Sequence, residues 1–209
     1  MGLRSLALIF AAALSLAGCA TQNAGPDASP EAAAKAAYRH DGPPALTLYT
    51  MINNKSGAGA HTSLMINGDQ RVVFDPAGSV RMSAMPEVND VLYGITPQIK
   101  DFYERAHARN TFHVRIQRIE VPMEVANMAI RLVQQAGPVA SAQCTVSTSK
   151  VLSQLPGFTG VSGTWFPNSL ADQMATIPGV SERILRENDD DDKQIAIRAF
   201  EANQAQAGQ

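Results

Sequence analysis

Gly57–Gly78 reads GAGAHTSLMINGDQRVVFDPAG. Two short β-rich runs, HTSLMI (61–66) and RVVF (71–74), flank the hairpin signal NGDQ. A Gly-rich loop, NNKSGAGA (53–60), leads in from a third β-rich run, ALTLYTMI (45–52). The stretch predicts antiparallel strands, with His61 opening one and Asp75 just past the end of the next.

The register decides whether those two side chains meet. A two-residue turn at Gly68-Asp69 pairs His61 with Pro76 and turns Asp75 away. A three-residue loop, Gly68–Gln70, pairs Ser63 with Asp75 and sets His61 and Asp75 diagonally on one face. The residues leave both readings open, and Asp75 is equally a turn residue of DPAG.

Helical spacing of Ile99, Phe102, Tyr103 and Ala106 predicts a helix near 96–108. TFHVRIQRIEV (111–121) alternates as a strand, with an irregular end where the period slips at Arg118. In VPMEVANMAIRLVQQAG (121–137), Pro122 suits a first turn, Gly137 an end, and Val125, Met128, Ala129, Leu132 and Val133 form one apolar stripe. CTVSTSKVLSQLPGF (144–158) predicts a helix capped by Ser141 and stopped by Pro156-Gly157. Two short helices are expected at 169–176 and 179–187. NDDDD (188–192) reads as cap and acidic first turn of a closing helix.

The amino terminus reads differently. MGLRSLALIFAAALSLAGCA carries one basic residue, an apolar run from Leu6 to Leu16, then small residues. This is the pattern of a secretory signal, too short to span a bilayer stably. Leu16-Ala17-Gly18-Cys19 resembles the bacterial lipobox. The resemblance implies acylation of Cys19 and cleavage before it, hence a membrane-lipid partner and an envelope location on the periplasmic side. Ala20 after the lipidated Cys favours the outer membrane over the inner. The expected organisation is a signal peptide over 1–18, a flexible tether over 19–44, a folded domain over 45–187, and a C-terminal helix and polar tail over 188–209.

Formal charge is −2 for the chain, and −3 once Arg4 leaves with the signal, which argues against nucleic acid as a partner. The chain has two cysteines. With Cys19 acylated, Cys144 has no internal partner and is a buried inert thiol, an intermolecular bridge or a reactive centre. In the first turn of a helix, free N–H groups and the helix dipole favour its thiolate and can stabilise an oxyanion.

A nucleophilic Cys needs a base. Of the four histidines, His40 falls in the tether, His107 on the polar side of a charged helix, and His113 points outward from its strand. His61 opens a strand behind a Gly-rich loop and is the candidate. Trp165 reads as a core or rim anchor rather than a groove lining. No HxxxH, CxxC or phosphate loop is present in the sequence, so no metal or cofactor is expected.

The segments 57–78, HVRIQRIEVPMEVANMAIRLVQQAG (113–137) and QCTVSTSKVLSQL (143–155) together resemble the circularly permuted branch of the NlpC-type papain-like hydrolases, which includes relatives of lecithin–retinol acyltransferase. The resemblance covers about residues 45–156. It implies an α+β fold, a small antiparallel sheet packed by helices in permuted papain-like order. It also implies Cys144 as nucleophile, His61 as base and Asp75 as the orienting third member, although some relatives would align that member with Phe74. The expected activity is hydrolysis or transfer at an amide or ester, with a peptidoglycan peptide or an acyl lipid as substrate. The other class is a non-catalytic envelope lipoprotein acting as a binding or scaffold module.

Overall fold

The structure is a computed structural model that describes residues 27–78 and 80–207. The signal segment, the lipobox and Cys19 lie outside the described residues.

The chain runs α1 (Pro30–Ala36), β1 (Ala45–Asn53), β2 (Gly59–Asn67), β3 (Arg71–Phe74), β4 (Glu87–Val88), β5 (Val91–Leu92), α2 (Pro97–His107), β6 (Phe112–Glu120), α3 (Met123–Ala136), α4 (Cys144–Leu152), α5 (Pro167–Ala175), β7 (Ser181–Leu185) and α6 (Lys193–Ala207). The fold is α+β. The strands form one sheet of order β4-β5-β3-β2-β1-β6-β7, antiparallel throughout.

Both faces of the sheet are buried. Leu46, Leu48, Leu64, Ile66 and Phe74 point to the face covered by α3, α4 and α5. Tyr49, Met51, Met65, Val73 and Ile116 point to the face covered by α2 and α6. The alternation follows from the two-residue period of a strand. Two-sided burial explains the lost period in β6. Val114 and Ile116 join one core and Ile119 packs against the other, while pairing with β1 continues unbroken from Phe112 to Glu120. The expected irregular end is therefore an ordinary strand.

The β2–β3 register is the three-residue alternative. Asn67 pairs with Arg71 and Leu64 with Phe74 around the loop Gly68–Gln70. The helix α3 holds this loop. Asn127 accepts from the Asp69 N–H at 2.9 Å and donates to its carboxylate at 2.7 Å. A Cβ on Gly68 would stand 2.6 Å from Asn127 Oδ1, so the close approach needs glycine.

Several other expectations are corrected. Residues 181–185 form strand β7, not a helix. Glu182 reaches Arg115 and Gln117, whereas Arg183 reaches Glu104 under the opposite face, a two-residue period. Ser141 does not cap α4, whose N-cap is Gln143 without a side-chain cap bond. The acidic run does not enter the first turn of α6. Asp192 accepts from the Gln194 N–H at 2.9 Å, and Asp191 binds the Thr111 N–H at 2.9 Å and its hydroxyl at 2.6 Å. Trp165 is not in the core, being 59% exposed beside Phe166 at 71%.

The described part of the expected tether lies against the domain. Ser29 caps α1, Ala33 is buried in the main core, the Ala28 N–H donates to Glu87 O at 2.7 Å, and the Arg71 N–H donates to Tyr38 O at 2.7 Å.

Candidate active site

His61 follows an irregularity in the β1–β2 ladder. Met51 pairs with His61 but Ile52 pairs with Gly59, so Ala60 is the extra residue. Such bulges re-aim neighbouring side chains. β3 stops at Phe74, Pro76 has no N–H to continue it, and the Asp75 N–H instead donates to Asp90 O at 2.8 Å. Asp75 stays within reach of His61. His61 Nε2 donates to Asp75 Oδ1 at 2.6 Å, with the carboxylate side chain 2% exposed and the imidazole 20%.

Cys144 is the first residue of α4 and 7% exposed. Thr145 beside it is buried, and its hydroxyl lies 3.1 Å from that of Thr62 on β2. That contact fastens the helix start to the strand that carries His61. A carboxylate can only accept, so His61 Nε2 bears hydrogen and Nδ1 remains for the thiol.

The electrostatics are reciprocal. Burial pushes the Cys144 thiol up, but the hydrogen bond and charge of His61, the Thr62 N–H and the Thr145 hydroxyl outweigh it and bring the pKa down to about 7. Burial pushes His61 down, but the Asp75 carboxylate by charge and hydrogen bond, with Cys144 added, raises it to about 9. Burial pushes Asp75 up, yet the His61 charge and hydrogen bond hold it below the usual carboxylate range. The three groups favour a thiolate–imidazolium pair at neutral pH.

Three neighbours, Tyr103, His107 and Asp90, have roles that the sequence did not reveal. Tyr103 donates to Ser63 Oγ at 2.8 Å, from a ring that is 1% exposed. His107 is 4% exposed, not on a polar face. Its Nδ1–H donates to Tyr103 O at 2.8 Å, and its ring stacks on His61 with centroids 6.4 Å apart and planes 19° apart. Burial first, then the Lys193 charge, drives its pKa to about 3, so it is neutral throughout the ordinary range. The sequence signal for His107 was its place on the stripe Ile99, Tyr103, His107, one helical repeat apart each time. Asp90 is the third. Its carbonyl holds Asp75, and its Oδ2 accepts from the Val139 N–H at 2.7 Å in the loop that leads to Cys144.

Among the described residues, the non-glycine positions with left-handed φ are Ala77, Asn89, Asp90 and Ala142. All lie in the loops that support Asp75 or Cys144. Backbone strain concentrates where a site must be held in place. His40 and His113 lie elsewhere, and His113 Nδ1 bonds Asn54 Oδ1 at 2.7 Å. Among the described residues, no group of three or more His, Cys, Asp or Glu side chains is placed to hold a metal, and no helix is long and apolar enough to cross a membrane.

No family model, curated protein or solved structure matches this chain.

Proposed function

We propose that this protein is a thiol-dependent hydrolase or acyl-transfer enzyme acting on an amide or ester, a permuted papain-like member of the NlpC-type group. The observation that carries the reading is the 2.6 Å hydrogen bond to the buried Asp75 carboxylate from His61 on β2, the strand to which the Cys144 end of α4 is fastened through Thr145 and Thr62. The chain order His61, Asp75, Cys144 is the order expected of the permuted branch.

The Cys144 thiolate attacks the substrate carbonyl carbon and forms the S–C bond. The oxyanion is met by N–H groups of the first turn of α4, which has no side-chain cap to occupy them. Collapse breaks the C–N or C–O bond, and imidazolium His61 gives its proton to the leaving nitrogen or oxygen. Neutral His61 then removes a proton from water, or from an acceptor hydroxyl or amine, as it attacks the thioester. The thiolate leaves and the pair is restored. Asp75 keeps the imidazole oriented and stabilises its charged form.

The lipobox resemblance supports an acylated Cys19 and a location on the periplasmic side of a bacterial envelope membrane, with Ala20 favouring the outer membrane. The Asn89 N–H donates to Asp27 Oδ1 at 3.2 Å, next to Asp90 and so at the site end of the sheet. Asp27 stands eight residues after Cys19, a chain length of at most about 29 Å. That short reach supports a substrate close to the lipid surface, whether an acyl lipid or a peptidoglycan peptide.

One observation favours a second reading. Cys144 is 7% exposed, which suits a buried structural thiol in a binding or scaffold lipoprotein. Alkylation of Cys144 by iodoacetamide against pH separates the two. The catalytic reading expects a reactive limb near pH 7 that moves up toward the free-thiol value of about 8.5 in His61→Ala. A limb near that value in the wild type, unmoved by the substitution, would end that reading.

A further inference from the structure

A cavity of about 330 Å³ opens under the α2 face at the other end of the sheet. Asn67 on its wall is six residues along β2 from His61, about 20 Å at strand rise. The cavity size is at the lower end of small-molecule sites. Its apolar wall is Ala45, Met65 and Ile116, and its cations are Arg71, Lys100, Arg118 and Arg183.

Most of these charges are already matched. Lys100 and Arg183 both pair with Glu104, which also accepts from Tyr49, and Arg118 pairs with Glu120 at 3.0 Å. Glu182, the other acid on the wall, is taken by Arg115 and Gln117. Arg71 differs. It is 4% exposed and pairs with no carboxylate among the described residues. Its Nη1 donates to Ile95 O at 3.3 Å, its Cζ lies 5.5 Å from the Tyr38 ring centre, and its Nε has no partner.

A buried guanidinium without an ion pair is costly, and Glu104, whose charge reaches Arg71, is already shared by Lys100 and Arg183. Two more buried atoms of the same wall, Thr47 Oγ1 and Asn67 Oδ1, lack partners. Asn67 Nδ2 donates to Pro43 O at 2.7 Å, which fixes the amide with its oxygen as the free acceptor. His40 on the rim is held below its usual pKa, by burial first and then by the charge of Arg71, with Arg118 and Lys100 adding and Asp41 opposing. The chamber is therefore positive and short of one anion and one hydrogen-bond donor.

We propose that this cavity is a binding site for a small organic oxyanion, a carboxylate or phosphate that also carries a hydroxyl or amine donor, with Arg71 as the principal anion contact. The anion takes Arg71 Nε, the donor satisfies Asn67 Oδ1, and the apolar wall holds the carbon body. Arg118 at the mouth supplies long-range attraction. The proposal does not depend on the chemistry of Cys144.

Titration calorimetry of the full domain with inorganic phosphate and with lactate, at constant ionic strength in chloride, tests it. Saturable binding of at least one probe is expected. It should weaken about tenfold or more in Arg71→Met, the scale of a lost charge-assisted bond, and severalfold in Arg118→Gln. Cys144→Ala should leave it unchanged. Absence of saturable binding with both probes, equal affinity in the Arg variants, or loss in Cys144→Ala overturns the proposal. Should Arg71→Met not fold, Arg118→Gln decides alone, because that side chain is 40% exposed.

Discussion

Gly78 lies directly against the Asp75 carboxylate. A Cβ on Gly78 would stand 2.0 Å from Asp75 Oδ2 and 2.7 Å from Oδ1. The Gly78 N–H also donates to Asp75 O at 2.9 Å, so the turn cannot easily swing aside. Gly78→Ala must displace the carboxylate from His61. The imidazolium then loses its principal partner, and the upper pH limit of turnover, where His61 must be charged to protonate the leaving group, should fall from about 9 toward the ordinary histidine value. A misplacement of about 1 Å at such a site costs on the order of 100-fold in rate. Turnover of an ester substrate against pH checks this. An unchanged upper limb would show that Asp75 does not hold His61.

His107 makes a separate prediction about acid stability. Its folded pKa of about 3 lies below the ordinary 6.5. Below pH 6.5 the unfolded chain takes a proton that the folded one refuses, so stability is lost as pH falls from 6.5 toward 3. His61, whose folded pKa is about 9, runs the opposite way, since the folded state is already charged while the unfolded one is still taking up its proton, and Asp75 is ionised in both states above pH 5. Glu87 also runs the opposite way, because burial, opposed by Arg81, raises it to about 7 and the folded state takes up a proton first. The readout is therefore the difference between His107→Phe and wild type. Relative to wild type, the variant should gain about 2 kcal/mol between pH 7 and pH 5. Urea unfolding at the two pH values measures it, and a difference independent of pH would contradict a buried neutral His107.

Asp90 ties the two halves of the candidate site together. It binds the Asp75 N–H by its carbonyl and the Val139 N–H by its carboxylate. Asp90→Ala removes the second bond and leaves a β-carbon at φ 63° without the local hydrogen bonding that makes this conformation tolerable. The expected loss is about 2 kcal/mol of stability. Thiol reactivity should fall with it, because the loop to Cys144 is released. Asp90→Asn, which keeps an acceptor and tolerates the left-handed backbone, should recover most of both. Equal effects of Ala and Asn would argue against the hydrogen bond as the tie.

Much of this arrangement is legible in the chain, and the failures have physical causes. The hairpin residues narrowed the β2–β3 register to two choices, but only contact between Asn127 and the loop selects one. The apolar stripes of α2 and α3 set their buried faces. His107 was misjudged because its residue type was weighed above its place on the stripe. Residues 181–185 looked helical because a strand at the sheet edge with charged side chains shows no apolar alternation. Asp90 carried no sequence signal, since a carbonyl that caps a broken strand is a property of the fold. Cys144 was readable as the head of a helix, whereas the Thr62 N–H that favours its thiolate becomes available only because β3 ends at Phe74.

Trp165 and Phe166 stand exposed between two parts of the site. The Thr164 N–H donates to Ser149 Oγ of α4 at 3.2 Å, and Asn168 Nδ2 donates to Gly57 O at 2.8 Å in the loop before His61. The pair thus sits at the sheet end where Asn89 holds Asp27, eight residues after Cys19. Aromatic side chains of this kind favour the membrane–water interface. Trp165 is the only tryptophan, so its fluorescence reports on the pair alone. In residues 27–209 without the anchor, phosphatidylethanolamine–phosphatidylglycerol vesicles should shift its emission to the blue and protect it from iodide. Phe166→Ser, which keeps the reporter, should weaken the shift severalfold. In the full-length chain, Cys19→Ser should release the protein from membranes, because the aromatic pair alone offers only marginal affinity. Continued retention of Cys19→Ser would refute the lipid anchor, and an unshifted Trp165 would separate the aromatic pair from the membrane while leaving the anchor intact.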